Sequence, residues 1–288
     1  MTLINFHSKY KSIFKHDNIP ELFTVSDEDG FTTDIPRATH HHDDRVEISL
    51  IIEGEAHYVI DEVEYHTKKG DIIIYNSYTT HEEQPIEGIH LHKYSCGIGN
   101  FQIKGLDKNC LLPKNAKNII PSEDHFDELS GLMSLIYKQV KSEYIDYAES
   151  VNYLARSLLL LILHIIHAHK HETDESIFED GELSCRIKQH IDDHYLEQMS
   201  LESIAAALHI SPYYVAHVYK NAFGHSPMQY IIKRRIGEAQ TYLIQTNLSI
   251  IEISNIVGFN NTNHFNNMFH KIVGLSPGTF RKAMLKLQ

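Results

Sequence analysis

The fold is decided by a repeated stretch, which reads SLESIAAALHISPYYVAHVYKNAFG at residues 200–224 and SIIEISNIVGFNNTNHFNNMFHKIVG at residues 249–274. Each copy begins as a short helix of apolar and small residues. A tight turn follows, and a second helix opens at a capping or polar residue and ends at Gly224 or Gly274. The sequence therefore predicts two helix–turn–helix units.

Such a unit can place its second helix in the major groove of DNA. Two copies predict a DNA-binding chain with two reading helices. Ser211 is expected to cap the first reading helix and to leave its amides facing phosphates. Gly258 is expected at the positive-φ position of the second turn. Three aromatic residues are expected to fill the core behind the second reading helix: Phe259, Phe265 and Phe269.

The outer faces of the two reading helices supply the candidate DNA contacts. Asparagine can pair with adenine through two hydrogen bonds, and threonine or alanine can contact a thymine methyl group. Arg235 and Arg281 are candidates for phosphate contacts. The alternative interpretation is that these are ordinary solvated helix faces. The candidates on the reading helices are Ser211, Tyr213, Ala216, His217 and Lys220 in the first copy and Thr262, Asn263, His264, Asn267 and Lys271 in the second.

Charge is divided unevenly along the chain, whose net charge is −12. Residues 181–288 hold 10 Lys and Arg against 7 Asp and Glu, whereas residues 1–180 hold 16 against 31. The acidic character therefore belongs to the front part, and the repeated part is weakly basic. We expect modest phosphate neutralisation and a shallow salt dependence of DNA binding.

The front part predicts short strands followed by helices. Between about residues 20 and 105, β-branched and aromatic runs alternate with turn residues, which is typical of a barrel or jelly roll. Helices are predicted at residues 122–142 and 147–170. Residues beyond 181 predict only helices, at 182–194, 201–208, 212–222, 227–245, 250–256, 262–272 and 277–285.

Residues 184–284 resemble the AraC/XylS family of transcription regulators. The resemblance implies a DNA-binding regulator that is controlled by a small effector. The chain departs from the family pattern at His217 and Asn267, where arginine is common, so an A/T-leaning site is expected. The motifs that carry the resemblance are Ser211-Pro212, Tyr219-Lys220, Phe223-Gly224, Ser226-Pro227, Tyr230-Ile231, Arg234-Arg235, Ala239, Ile250, Ile253, Val257-Gly258-Phe259, Phe265, Phe269, Lys271, Gly274, Ser276-Pro277 and Phe280-Arg281.

Residues 40–81 resemble a cupin, the barrel that commonly binds the effector in this family. The run His40-His41-His42, followed by Glu47, Gly54, Gly70-Asp71 and His81, carries this resemblance. A sugar or related metabolite is the effector that the family implies. Arg37 has planar donors that suit hydroxyl or carboxylate groups. The candidate effector-binding residues are Arg37, His40, His42, Glu47, Tyr58 and His81.

The same histidines could instead bind a divalent metal. His40 and His42 lie two apart and point to one side of a strand. With Glu47 and His81 they offer three imidazoles and a carboxylate, a set that suits Fe, Mn, Zn or Ni. A different cupin spacing selects His41 and Asp43, and a shift of one residue turns every side chain over. Metal, a pocket without metal and no ligand role all remain open at this stage.

The predicted fold class is α+β, with an N-terminal β-barrel of cupin or jelly-roll type plus helices and a C-terminal all-α domain with two helix–turn–helix motifs. The stripe Leu154, Leu158 and Leu161 is expected to form a homodimer, and packing onto the chain's own barrel is the competing use. The predicted segments are a cupin-like effector-binding domain at 1–121, a helical dimerisation region at 122–171, a linker at 172–181 and the tandem helix–turn–helix domain at 182–288.

Several function classes find no support in the sequence. It contains no GxGxxG, no GxxxxGK[ST] and no serine nucleophile elbow. Its three cysteines lack CxxC spacing. No signal peptide is recognised, and the run Leu158–Ile166 is too short for a membrane span. We therefore expect a cytoplasmic regulator that is not an enzyme and that binds double-stranded DNA and a small effector. A metal-dependent cupin sensor or enzyme fused to a DNA-binding domain, and an adaptor that needs no effector, are the alternatives.

Overall fold

The structure, a computed structural model, describes residues 10–15, 18–30, 33–113, 116–143, 145–169 and 181–285. An N-terminal domain of strands and two helices precedes a C-terminal helical domain, so the α+β class is confirmed. The strands are β1 (Glu21–Asp29), β2 (Arg37–His40), β3 (Arg45–Glu53), β4 (Glu55–Ile60), β5 (Val63–Lys68), β6 (Asp71–Tyr75), β7 (His81–Pro85), β8 (His92–Gly99) and β9 (Ile119–Pro121).

The sequence predicts a barrel or jelly roll, and the described strands form two antiparallel sheets without closing into one barrel. One sheet has the order β1-β8-β3-β6-β9, and the other has the order β2-β7-β4-β5. The chain passes from one sheet to the other at Gly54, which has φ +83°. A Cβ there would collide with the His90 carbonyl, so a residue without a side chain is required. The N-terminal domain is therefore a sandwich.

The five-stranded sheet has one face packed against the helices and one face turned to the other sheet. Strand β3 alternates accordingly: Val46, Ile48 and Leu50 lie in the core beneath the helices, whereas Glu47 and Ser49 face the other sheet. The helices are α1 (Phe126–Ser142) and α2 (Tyr147–Ala168), and both pack on the apolar face. The space between the two sheets holds an apolar cluster, with Ile51, Ile60 and Ile73, together with buried polar side chains.

Helix α2 contributes its leucine stripe to this core. Leu158 is fully buried, and Leu154 and Leu161 pack against the same cluster. The stripe predicted for dimerisation is therefore used inside the chain, which was the competing expectation. By length and hydropathy α2 would also pass for a membrane span, although 44% of its most apolar window is buried against the sandwich.

The C-terminal helices match their predicted bounds closely because serine, asparagine and glycine mark their ends. The predicted linker, residues 172–181, lies outside the described residues except for Gly181, which opens α3. The helices are α3 (Gly181–His194), α4 (Leu201–Leu208), α5 (Pro212–Phe223), α6 (Pro227–Gln245), α7 (Ile250–Ile256), α8 (Thr262–Val273) and α9 (Pro277–Leu285).

Helix α6 joins two separate cores. Its first half belongs to a cluster with α3, α4 and α5, and its second half belongs to a cluster with α7, α8 and α9. Another side of α6 packs against β2 of the sandwich, where Ile35 and Ala38 enter the second cluster. The sandwich and the DNA-binding domain are thus in direct contact through one strand and one helix.

Candidate effector pocket and DNA-binding faces

The histidines predicted for the pocket lie together between the two sheets. His40 and His81 are paired across β2 and β7, with ring centroids 4.1 Å apart. The ring of His42 lies 5.4 Å from that of His40 and 5.7 Å from that of His81. Glu47 accepts a hydrogen bond from Nε2 of His42 at 2.9 Å. The sequence reasoning therefore selected residues that the fold brings to one place.

The three consecutive histidines point alternately into and out of the sandwich, because side chains alternate from the end of β2 onward. His40 and His42 point into the sandwich, whereas His41 points outward and contacts Arg234 of α6, with 2.6 Å between Nδ1 and Nη2. Asp43 is exposed. The spacing with His40, His42 and Glu47 is the one that the structure shows, and the alternative with His41 and Asp43 is not.

Burial keeps the two deepest imidazoles neutral at pH 7. It lowers the pKa of His81 to about 3, and together with His81 and Arg37 it lowers the pKa of His40 well below 6.5. The Nδ1 atoms of both rings bond backbone carbonyls, of Ala38 at 3.0 Å and of Thr79 at 3.1 Å. A neutral ring that donates from Nδ1 presents the lone pair of Nε2 to the interior.

Glu47 remains ionised beside these neutral rings. Burial alone would raise the pKa of its carboxyl group, but the hydrogen bond from His42 and the positive charge of Lys93 act against burial, and the net effect lowers it. The cluster reaches solvent on this side, since 17% of the Glu47 side chain and 15% of the His42 side chain are exposed. This edge is therefore where a small molecule can approach the interior.

A buried lysine, which the sequence reasoning missed, completes the polar interior. Lys93 of β8 is 1% exposed and binds both carboxylate oxygens of Glu83 at 2.6 Å, with Glu28 at 3.4 Å. Burial would lower the pKa of Lys93, but the two glutamates outweigh burial and raise it. The sequence did contain a sign of this burial. Side chains alternate along β8, so Lys93 lies on the same face as the small residues Ser95 and Gly97, which face the interior.

Several buried polar atoms in this interior lack partners. Within the described part of the chain, nothing bonds the hydroxyls of Tyr58 and Tyr75, Nε2 of His81 or one terminal nitrogen of Arg37. Buried polar groups are normally satisfied, so such a concentration marks a place where a ligand or water supplies the missing bonds. Arg37, His81 and Tyr58, all predicted effector contacts, are among them.

A second concavity has a different character. A groove of about 510 Å³ runs between the 103–113 segment and α2. Its walls are mainly aliphatic, with Ile103, Leu111 and Leu163 among them. The interior of the sandwich, with its converging charges and hydroxyls, is the better candidate for recognising a polar effector.

The reading helices begin with the caps that the sequence indicated. The hydroxyl of Ser211 accepts from the amide of Tyr214 at 3.2 Å, and Asn261 accepts from the amides of Asn263 and His264. Gly258 has φ +87°, and the three phenylalanines are buried. Most of the predicted contact residues are exposed, with Ala216 and Thr262 half-buried. Exposed among them are Ser211, Tyr213, His217, Lys220, Asn263, His264, Asn267 and Lys271.

The two arginines predicted to contact phosphates bond backbone carbonyls of their own domain. Arg235 donates to the carbonyls of Tyr195 and Gly258, each at 2.7 Å, and to that of Glu197. These bonds occupy Nε and both terminal nitrogens, so Arg235 joins the segment after α3 to the turn before α8. Nε of Arg281 donates to the carbonyl of Leu243 at 3.2 Å, which ties this side chain to the end of α6.

Comparison with known proteins agrees with this division. Residues 28–163 match the AraC-like ligand binding domain, and residues 204–283 match a helix-turn-helix domain. The HTH-type transcriptional regulator YdiP of Escherichia coli (strain K12) is 25% identical over 283 residues, which cover 96% of this chain and 91% of YdiP.

Two further relatives cover different parts of the chain. The bifunctional transcriptional activator/DNA repair enzyme AdaA of Bacillus subtilis (strain 168) is 37% identical over 103 residues, 36% of this chain and 49% of AdaA. The crystal structure of ToxT from Vibrio cholerae O395 covers 95% of this chain and 99% of its own, at 12% identity and a TM-score of 0.50, which is a likeness of fold. The chain thus combines an AraC-like ligand binding domain with a helix-turn-helix domain, which is the organisation of an AraC-type transcription regulator.

Proposed function

We propose that the chain is a transcription regulator whose sandwich binds a small hydroxyl-rich effector, a sugar or related metabolite, and whose helices α5 and α8 both read DNA. The single observation that carries the effector proposal is the set of unsatisfied polar atoms between the sheets. The regulator works where the DNA is, in the cytoplasm.

The chemistry of the interior favours hydroxyl groups. A hydroxyl both donates and accepts, and it can therefore bond Lys93 or Arg37 with its oxygen and Glu47 or Glu83 with its proton. The ring of Tyr75 stacks on His81 with centroids 3.9 Å apart, which gives an apolar wall beside the polar groups. Neither tyrosine hydroxyl is ionised at pH 7, because burial raises the pKa of Tyr58 and Tyr75.

A thermal-shift screen of the full chain tests the effector. Sugars, sugar acids and polyols are the probes, and a bound one raises the midpoint because it stabilises only the folded chain. Tyr58→Phe with Tyr75→Phe should abolish that shift while the chain still folds. Tyr65→Phe, on the neighbouring strand β5, is the matched control. If no probe raises the midpoint of the wild-type chain, the effector proposal is wrong.

DNA reading by both helices is tested by His217→Ala and Asn263→Ala. A duplex enriched by the wild-type chain from a random-sequence pool is the probe in a gel-shift assay. Each substitution should weaken binding by several-fold, because each removes a group that can bond a base edge. Unchanged affinity in both variants would show that these helix faces do not read DNA.

We also propose a homodimer. The face of α2 that is turned away from the core presents Tyr153 and Leu160, which are 58% and 48% exposed. A second copy is the occupant that fits, because the weakly basic DNA-binding domain gains affinity when two are linked. Leu160→Glu should shift the sedimentation of the full chain from dimer to monomer, and Ile251→Glu, at an exposed position on α7 of the other domain, is the control.

A divalent metal is the second candidate for the same cluster. The possible ligand atoms of His40, His42 and His81 lie within 4.8 Å of one another. His40 and His81 fit, because their Nδ1 bonds to carbonyls orient Nε2 as in metal sites. His42 does not fit as it stands. Its Nδ1 faces Nη2 of Arg45 at 2.9 Å, and a guanidinium only donates, so Nε2 carries the proton given to Glu47.

Arg45 thus opposes metal binding, which makes the metal testable. Cobalt absorption and metal analysis of chain purified without an affinity tag should show substoichiometric metal in the wild type. Arg45→Met should raise cobalt affinity by about tenfold, because Nδ1 is then free to take the proton and Nε2 becomes a ligand. Stoichiometric metal in the wild type would favour a metal site over the proposed site for a hydroxyl-rich effector.

A further inference from the structure

Two histidines lie one turn apart at the end of α3. His190 and His194 are both half-buried, and their ring centroids are 4.6 Å apart with an angle of 33° between the rings. Because positions i and i+4 share one face of a helix, the backbone alone brings these two imidazoles together. Histidines at this spacing on one helix hold zinc in metalloproteases. The end of α3 is therefore a candidate metal site outside the sandwich.

This pair lies on the side of α3 that faces away from the sandwich. Lys188 and Asp192 lie on the other side, where Nζ of Lys188 is 3.4 Å from a carboxylate oxygen of Asp61. At about 100° per residue, a step of two residues turns His190 about 200° around the helix from Lys188. Metal ions in solution can therefore reach both rings without disturbing the contact between the domains.

The two rings have the protonation that metal binding needs. Nδ1 of His194 lies 2.9 Å from the carbonyl oxygen of His190, so Nδ1 carries the proton and Nε2 keeps its lone pair. Histidines that bind metals are commonly oriented by such a bond from the other ring nitrogen. Burial and the neighbouring His194 lower the pKa of His190, which is therefore neutral at pH 7. A neutral imidazole is the form that binds a metal.

A carboxylate completes this face of the helix. Asp193 and Glu197 both lie close enough to His190 for their charges to act on its pKa, against the effect of burial. Asp193 accepts a bond from Gln189 at 2.9 Å, on the preceding turn. The amide of Glu197 donates to the carbonyl of His194 at 2.8 Å, which closes one more tight turn. Side chains three residues apart in such a turn lie one above the other, so Glu197 is placed beside His194.

We propose that His190, His194 and Glu197 bind a divalent transition-metal ion such as zinc or copper. Two imidazoles and a carboxylate suit these ions, and water completes the coordination. Since the three residues lie on one half-exposed helical segment, we expect the ion to exchange with solution and to be removed during purification. The site does not depend on the effector pocket proposed above.

A bound ion also has a structural consequence, because the site adjoins a contact between α3 and the second helix–turn–helix unit. Arg235 donates to the carbonyls of Tyr195 and Glu197, in the segment that the ion ties to α3. A third bond joins Arg235 to the carbonyl of Gly258, in the turn before α8. Metal binding should therefore stabilise this contact, and with it the relative arrangement of α5 and α8.

Calorimetric titration of the full, untagged chain with Zn²⁺ and with Cu²⁺ tests the site. Copper should bind more tightly than zinc, as is general for nitrogen and oxygen ligands. His190→Ala and His194→Ala should each weaken zinc binding by at least about tenfold, because even the loss of a residue that only orients a ligand has effects of that size. His270→Ala, which removes an exposed histidine of α8, is the matched control and should bind zinc as the wild type does.

The histidines between the sheets are the competing site for the same ions. His40→Ala removes a member of that cluster and should leave the zinc affinity of the α3 site unchanged. Loss of zinc binding in His40→Ala but not in His194→Ala assigns the ion to the sandwich and overturns the proposal. Equal affinity of the wild type and both α3 variants overturns it as well, and so does a wild type that binds no zinc.

Hydrogen exchange tests the part of Glu197. Its amide is bonded to the carbonyl of His194, so an ion held by both side chains should slow the exchange of that amide. Zn²⁺ should also raise the thermal midpoint of the wild type and not that of His194→Ala, because the ion binds only the folded helix. Glu197→Gln, which keeps the size of the side chain and removes its charge, should weaken zinc binding several-fold. Unchanged exchange together with unchanged affinity of Glu197→Gln overturns the assignment of Glu197 as a ligand.

Discussion

The two helix pairs have the same layout but different structural roles. The first pair is α4 with α5, and the second is α7 with α8. Both begin at a serine capping box, Ser200 or Ser249, and both end at a glycine. The turn of the first pair contains His209 at φ +57°, whereas the second has Gly258 at φ +87° and one residue more between the caps. His209 is exposed and Gly258 is buried.

The difference follows from what covers each turn. A Cβ on Gly258 would come within 2.7 Å of the Leu196 carbonyl and 2.9 Å of the guanidinium carbon of Arg235. Arg235 in turn bonds the carbonyls of Tyr195 and Gly258. The second turn is therefore part of the joint between the two pairs, and the first is an open surface turn. The two turns are similar in sequence, but one is buried between the helix pairs and the other is exposed to solvent.

Gly258→Ala is expected to have the largest effect. The positive φ costs an L-residue about 1–2 kcal/mol, and overpacking against Leu196 and Arg235 adds about 1–3 kcal/mol. We expect a loss of about 3 kcal/mol in the free energy of unfolding, measured by urea denaturation. Binding to the enriched duplex should also weaken, because displacement of Arg235 changes the angle between the two pairs.

His209→Gly is the control at the equivalent position. Glycine relieves the positive φ but adds freedom to the unfolded chain, so we expect a gain of no more than about 1 kcal/mol. Equal losses for Gly258→Ala and His209→Gly would show that the two turns are mechanically alike, contrary to the comparison drawn here.

The reading helices should differ in how they bind DNA. Lys220 of α5 offers a charge, so Lys220→Ala should reduce the salt slope of binding by about one ion. Asn267 of α8 offers only hydrogen bonds, so Asn267→Ala should leave the slope unchanged and relax base preference by about 1–3 kcal/mol. Filter binding at several salt concentrations separates the two, and Lys138→Ala on α1 is the control for a lost charge far from DNA.

The sequence predicted helices better than contacts, for a physical reason. Caps and glycines are local signals, so the bounds of α4 to α9 agree closely with expectation. The histidine cluster was also within reach, because strand alternation brings His40 and His42 to one side. The role of Arg235 could not be predicted, because its carbonyl partners lie in the segment after α3 and in the turn before α8 and leave no mark in the sequence around it. The position of Lys93 and the contact of β2 with α6 depend likewise on long-range packing.

A hydroxyl buried in the second pair provides a finer test. Ser254 of α7 is fully buried, and its oxygen has no partner among the described residues. The equivalent position of the first pair is Ala205, five residues after the capping serine. Ser254→Ala should raise the free energy of unfolding by about 1.5 kcal/mol, since it removes an unsatisfied hydroxyl and improves helix propensity. Ala205→Ser should lower it by a similar amount, and urea denaturation of both variants checks the exchange.

In the first pair the unpartnered hydroxyl belongs to a tyrosine, and the second pair has no hydroxyl at the equivalent position. Tyr219 of α5 is fully buried and, as far as the described chain extends, its hydroxyl is without a partner, whereas the equivalent residue of α8 is Phe269. Burial accordingly raises the pKa of Tyr219. Tyr219→Phe should stabilise the chain by about 0.5–1 kcal/mol, because removal of the orphan hydroxyl outweighs the small void it leaves. Phe269→Tyr should destabilise the second pair by more, since it adds a hydroxyl at a fully buried position, which must be desolvated and accommodated by the core. A destabilised Tyr219→Phe would mean that this hydroxyl has a partner in the folded protein, and that the two pairs differ by an added bond and not by an unneeded atom.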